Sequence, residues 1–234
     1  MLQYFTVNTS SEIICFIIAL VYLSKDKDGI WRSMIIFLFI TCIAELAGFH
    51  FKHLYLADRS RTHSNAWVYN ILIIFQAGFL SLMFYGLLNK YVNSKGLILS
   101  GLLAVLILYT YETFQHCGLK SAPSSIDTGF YLYNDLTNTV LSVLLVIYCF
   151  YYYYCLIRDE SYERFATSAS FWWITGTLFF YFGTTACNIF YDKLKGIEIT
   201  PKHYLTSYIY NVFNVILYGC WAYSFICKKW ASKH

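Results

Sequence analysis

Apolar residues gather into seven long runs, at 10–24, 33–51, 67–89, 96–115, 134–157, 171–191 and 204–227. A helix needs about 20 such residues to cross the hydrocarbon core of a bilayer, and these runs are of that order. The first is short, but Tyr4, Phe5 and Val7 extend it upstream. No basic residue precedes that run and no small-residue cleavage site follows it, so it reads as a span and not as a cleaved leader. The connecting stretches are short and polar, and none is large enough for a soluble domain. The pattern predicts an all-α membrane protein, a single seven-helix bundle over residues 1–234.

Composition narrows the classes further. Hydrophobic residues make up 58% of the chain and charged residues 13%, about half the ordinary charged share of roughly 25%. Thirty Lys, Arg, Asp and Glu side chains cannot cover a water-facing surface of this size. Disorder, collagen, coiled coil and nucleic-acid binding each require charge or a repeat that is missing here. Basic residues in the connections set the orientation. Ten lie on the side of the C-terminus, including Lys25, Lys90, Arg158 and Lys228, and seven lie on the other. The predicted topology is therefore N-terminus out and C-terminus in. The run Tyr151–Tyr154 then falls at the inner interface, where amphipathic rings sit well.

The chain also echoes itself. Trp67-Val-Tyr69-Asn70 opens the third run and Tyr208-Ile-Tyr210-Asn211 opens the seventh, while the second and sixth each carry a late glycine, Gly48 and Gly183. This suggests a three-plus-one-plus-three plan with parallel halves. Both receptors and small carriers use such a plan.

Polar groups inside a bilayer are costly, so their depth is informative. In the predicted topology they crowd toward the outer end: Glu12, Asn70 and Asn134, and eight candidate ligand-binding residues, Glu45, Gln76, Glu112, Asp135, Asn138, Asn188, Asn211 and Asn214. Helical spacing places Thr177, Tyr181, Thr184 and Asn188 on one stripe, Asp135, Asn138 and Ser142 on a second, and Tyr204, Tyr208, Asn211 and Tyr218 on a third. Two readings stay open. The stripes pair with one another as interhelical hydrogen bonds, worth about 0.6 kcal/mol each, or they line a water-filled pocket open to the outside. Glu45, the deepest acid, is expected to face the bundle near a donor from the third or seventh run, such as Asn70 or Asn211.

Several chemistries fail on inspection. A catalytic zinc needs three converging protein ligands. The pairs Glu112/His116 and His50/His53 could each chelate, but the last run holds no histidine, unlike the HxxxH of seven-span hydrolases related to ceramidases and progestin receptors. It also holds no lysine for a retinal Schiff base. No phosphate loop, CxxC or Pro-Gln signature occurs, and no cofactor is expected. Of eight cysteines only Cys117 lies in a connection, and a Cys117–Cys187 bridge is the disulfide that the outer rim would allow.

Three segments carry a resemblance: Trp67-Val-Tyr-Asn-Ile leading to Phe84-Tyr85, Ser170-Phe-Trp172 leading to Phe180-Tyr181 and Gly183, and Asn214-Val-Ile-Leu-Tyr218 leading to Phe225-Ile-Cys227. Together these resemble an uncharacterised family of small bacterial seven-span integral membrane proteins that accompany sensor kinases. The resemblance implies a bacterial inner-membrane location and a signalling role, and supplies no catalytic residues. Gln76 departs from it, since an acid is more usual there. The leading expectation is a receptor-like or sensory bundle that binds a small ligand in an outer pocket and signals through a separate protein partner. A small-solute carrier is the alternative, and a metal-dependent lipid hydrolase ranks third.

Overall fold

A computed structural model describes residues 6–58, 62–117, 127–159, 167–194, 197–200 and 203–231. Each apolar run forms a long helix: α1 (Val7–Leu23), α2 (Gly29–Ala57), α3 (Ala66–Leu88), α4 (Lys95–His116), α5 (Asp135–Arg158), α6 (Ala169–Ile189) and α8 (Leu205–Ala231). The polar connections also hold structure that the pattern does not announce. A 3-10 turn at Gly129–Tyr131 precedes α5, a short α7 (Tyr191–Leu194) follows α6, and an antiparallel ribbon of β1 (Glu198–Thr200) and β2 (His203–Tyr204) leads into α8.

Capping sets several helix starts. The side chains of Thr6, Asp28 and Ser168 accept from Thr9 N, Ile30 N and Phe171 N, satisfying amides that have no partner inside α1, α2 and α6. Gly129 sits at φ +57°, a left-handed conformation open to glycine at little cost.

α2, α3, α4, α5 and α8 are long and apolar enough to cross a membrane. α1 is apolar but has 17 residues, and α6 is diluted by threonine, glycine, tryptophan and tyrosine. Large apolar side chains also face outward, among them Ile17, Val21, Ile36, Phe39, Ile107 and Phe150. Water would penalise such a surface and lipid would not. The protein is a helical bundle of membrane character.

The helices form a ring. α1 packs on α2 and α8, α2 on α3, α3 on α5, α5 on α6, and α6 on α8, while α4 lies outside against α3 and α5. The six relations of the ring, though not those of α4, are unchanged when α1, α2 and α3 are exchanged for α5, α6 and α8. The two late glycines occupy matching contacts. A Cβ at Gly48 would come within 2.7 Å of the Tyr69 hydroxyl on α3, and one at Gly183 within 2.2 Å of the Phe213 ring on α8. In each half, a glycine on the second helix lets an aromatic of the third lie against its backbone.

The core is aromatic. Trp173 and Trp221 stack with centroids 5.6 Å apart, Phe37 stacks on Phe79 at 4.4 Å and meets the edge of Trp221 at 5.9 Å, and Phe84 packs on Trp173 at 5.4 Å. The Trp221 indole N–H donates to Trp173 O and to Thr177 Oγ1, so its one polar atom is satisfied within this layer.

Candidate functional site

The ends of α1, α2, α3 and α8 that meet beside the chain's start enclose a polar cavity of about 790 Å³. α1 contributes its first turn, from Thr6 through Asn8 to Thr9. α2 brings Glu45, Phe49 and Lys52, α3 brings Asn65 and Tyr69, and α8 brings Ser207, Tyr210 and Asn211. On α2, Glu45, Phe49 and Lys52 are spaced i, i+4 and i+7, which puts them on one face. The same spacing puts Asn65 and Tyr69 together where α3 begins, and Ser207 and Asn211 together on α8.

Glu45 is half-buried, and Tyr69 Oη donates to its Oε2 at 3.3 Å. The donor comes from the third run, as expected, but it is Tyr69 and not Asn70. Below the mouth lies Glu12, only 1% exposed, one helical turn beyond Asn8. It is within electrostatic reach of Glu45 and lies near Tyr218. Two helical turns further along α2 from Glu45, Phe37 belongs to the aromatic layer around Trp221 and Trp173. That layer lies deeper in the bundle than the residues that line the cavity.

Of the eight expected residues, Glu45 and Asn211 line this cavity. The others have separate environments. Glu112 is buried with both carboxylate oxygens engaged at the start of α5, accepting Leu136 N at 2.9 Å, Thr137 N at 2.8 Å and Thr137 Oγ1 at 2.6 Å. It is an N-cap donated by a neighbouring helix, where a negative charge meets the positive end of the α5 dipole. Asn214 Nδ2 donates to Tyr210 O, one turn back in its own helix. Asn188 is exposed and accepts from Tyr210 Oη. Asp135 is exposed, and Gln76 and Asn138 are half-buried on α3 and α5.

The stripes are mostly self-contained. Thr41, Ser142, Thr177 and Thr184 each donate to the carbonyl four residues back, at 2.7–2.8 Å. This is the local bond that serine and threonine make inside helices; of the four, Thr177 also bridges helices, its Oγ1 accepting from the Trp221 indole N–H. On the third stripe Tyr208 is 62% exposed while Tyr218 is buried. Within the tyrosine run, Tyr152 is buried and Tyr153 shares a 2.7 Å hydrogen bond with Thr175 Oγ1, so two of the four rings enter the bundle. All eight cysteines are free thiols, which overturns the Cys117–Cys187 bridge.

A second polar cluster lies in the connections at the same end. Asp127 is 1% exposed and accepts from Ser64 N at 3.1 Å, with His63 Nδ1 also at 3.1 Å. The His63 ring stacks on Tyr131 at 3.6 Å, and Ser64 Oγ donates to Tyr131 O. These contacts clamp the connection before α3 to the turn before α5. Among the described residues, no three His, Cys, Asp or Glu side chains converge as a metal-binding set.

No family model, curated protein or solved structure matches the chain.

Proposed function

We propose that the chain is an integral membrane protein that crosses the bilayer seven times, with its N-terminus outside and its C-terminus in the cytoplasm. It receives a small ligand in the cavity between α1, α2, α3 and α8, and reports occupancy to a separate protein at the opposite end. The observation that carries this reading is the contrast along the bundle axis. One end opens into a cavity of about 790 Å³ between four helices, larger than the clefts of about 480 and 270 Å³ at the opposite end, and a packed layer of aromatic rings lies deeper in the bundle. A pocket open at one end suits a receptor. α1 and α8 both line the cavity, pack on each other and run the length of the bundle, so they supply the mechanical link. The resemblance to proteins that accompany sensor kinases points to the same kind of output.

The exchange relation between α1–α2–α3 and α5–α6–α8 favours a second reading, a carrier whose halves rock about the aromatic layer. Sided labelling separates the two. A Cys117→Ser background removes the exposed native thiol. In it, Asn211→Cys reacts with an impermeant maleimide from the outside only, and Leu145→Cys, fully buried in the core, reacts from neither side. Labelling of Asn211→Cys from both sides would establish alternation and remove the receptor reading.

A further inference from the structure

Among the described residues, two buried oxygen atoms, one in the cavity wall and one beneath it, have no hydrogen-bond donor. Asn8 lines the wall, and its Oδ1 is buried with no partner. Glu12 is 1% exposed, and its Oε1 is likewise buried and without a partner. Asn8 and Glu12 are four residues apart on α1, hence one above the other on the same face. Glu45 completes the group from α2, with only Tyr69 donating to it at a long 3.3 Å. Leaving buried acceptors unmade is expensive, and more so for a charged group. Lys52 also lines the cavity, but it is exposed and makes no ion pair with Glu12 or Glu45 among the described residues.

We infer that the ligand of this cavity is a small organic cation whose ammonium group donates to Asn8, Glu12 and Glu45; the inference rests on the cavity being open to solutes as proposed above. An ammonium brings several donors and no acceptor, which is the complement of this set. An anion would meet two carboxylates. A neutral hydroxyl brings one donor for three waiting acceptor groups. A bare metal ion is a poor fit, because a cavity of about 790 Å³ is built for a molecule and its walls include Phe49, Tyr69 and Tyr210. Those rings offer apolar area and π faces to the body of an organic cation.

The test uses full-length protein in nanodiscs with Cys117→Ser and Ser207→Cys, the latter on the cavity wall. Maleimide labelling at position 207 is followed with phenethylamine or with 2-phenylethanol, which share a skeleton and differ in the ammonium. Phenethylamine is expected to slow labelling and the alcohol to leave it unchanged. Glu12→Gln and Glu45→Gln should each raise the half-protective amine concentration about tenfold, the scale of one charge-assisted hydrogen bond. Equal protection by both compounds, protection by neither, or full protection retained in both glutamine variants would overturn the inference while position 207 still labels and the open cavity stands. No labelling at all would overturn the cavity and the inference together. If a glutamine variant fails to fold, the amine–alcohol comparison in protein with both glutamates decides.

Discussion

The side chain of Asn70 on α3 holds the backbone of Asn134 at the start of α5: its Oδ1 accepts from Asn134 N at 3.1 Å, and its Nδ2 donates to Phe130 O at 2.8 Å and Leu132 O at 2.7 Å. Both residues are fully buried. One amide thus satisfies three main-chain groups of the turn that carries Gly129 and the entry to α5. Asn70→Ala would leave these groups without partners, at about 1 kcal/mol or more each. The expected loss is about 3 kcal/mol, read as a marked drop in melting temperature with the protein still membrane-inserted. A drop within the range of ordinary surface substitutions, about 0.5 kcal/mol, would show that the turn is held by other means.

At the other end, Lys228 Nζ donates to Asp28 Oδ2 at 3.1 Å and lies 5.2 Å from the centroid of the Trp31 ring, tying the end of α8 to the cap of α2. Burial works to raise the Asp28 carboxyl, but Lys228 and the Ile30 and Trp31 amides outweigh it and hold it below the usual carboxylate value. A carboxyl lowered on folding stabilises the folded state above its unfolded value, near 4, and that stabilisation fades as pH falls through the lowered value. Asp28→Asn should therefore melt lower than wild type at pH 7, and the gap should close as pH falls below about 4. The pair is partly exposed, so the gap is modest and shrinks with salt. A gap that stays constant from pH 7 to pH 3 would assign the effect to packing and not to charge.

The glycine contacts give a paired control. Gly183→Ala drives a Cβ into the Phe213 ring at 2.2 Å, whereas Gly78 has no atom within 4 Å of the same position. Gly183→Ala is expected to destabilise by about 1–3 kcal/mol, and Gly78→Ala to be neutral or slightly stabilising through helix propensity. Equal melting temperatures for the two variants would contradict the close approach of α6 and α8.

Positions of the helices were legible in the chain because an apolar run of span length has few alternatives; caps at Asp28 and Ser168 start α2 and α6 before their apolar runs, and α2 and α8 continue past theirs to Ala57 and Ala231. The candidate site was legible in part. Glu45 and Asn211 are wall residues, and the depth at which polar groups collect points to the end of the bundle where this cavity lies. Glu112 and Asn70 look the same in sequence as wall residues, yet each is consumed by backbone amides or carbonyls whose location no periodicity reveals. Threonine and serine stripes mislead for a related reason, since their hydroxyls turn back onto their own helix. Tyr69 went unremarked as a donor because a tyrosine in so aromatic a chain carries no signal until its neighbour is known. The His63–Asp127 clamp joins two connections far apart in the chain, which spacing cannot detect.

The account stands on α1 and α6 crossing the membrane along with the five more apolar helices, because α1 supplies Asn8 to the cavity wall and Glu12 beneath it, and α6 supplies Trp173 to the aromatic layer. The direct measurement is a set of sidedness reporters in intact cells, placed before Met1, at Asp26, Asn93 and Lys193, and after His234. The predicted result is Asp26, Asn93 and the C-terminus in the cytoplasm, with the N-terminus and Lys193 outside. Asp26 on the same side as the N-terminus, or Lys193 on the same side as Asn93 and opposite to the C-terminus, would mean that α1 or α6 does not cross, and the cavity and the aromatic layer could not exist as described.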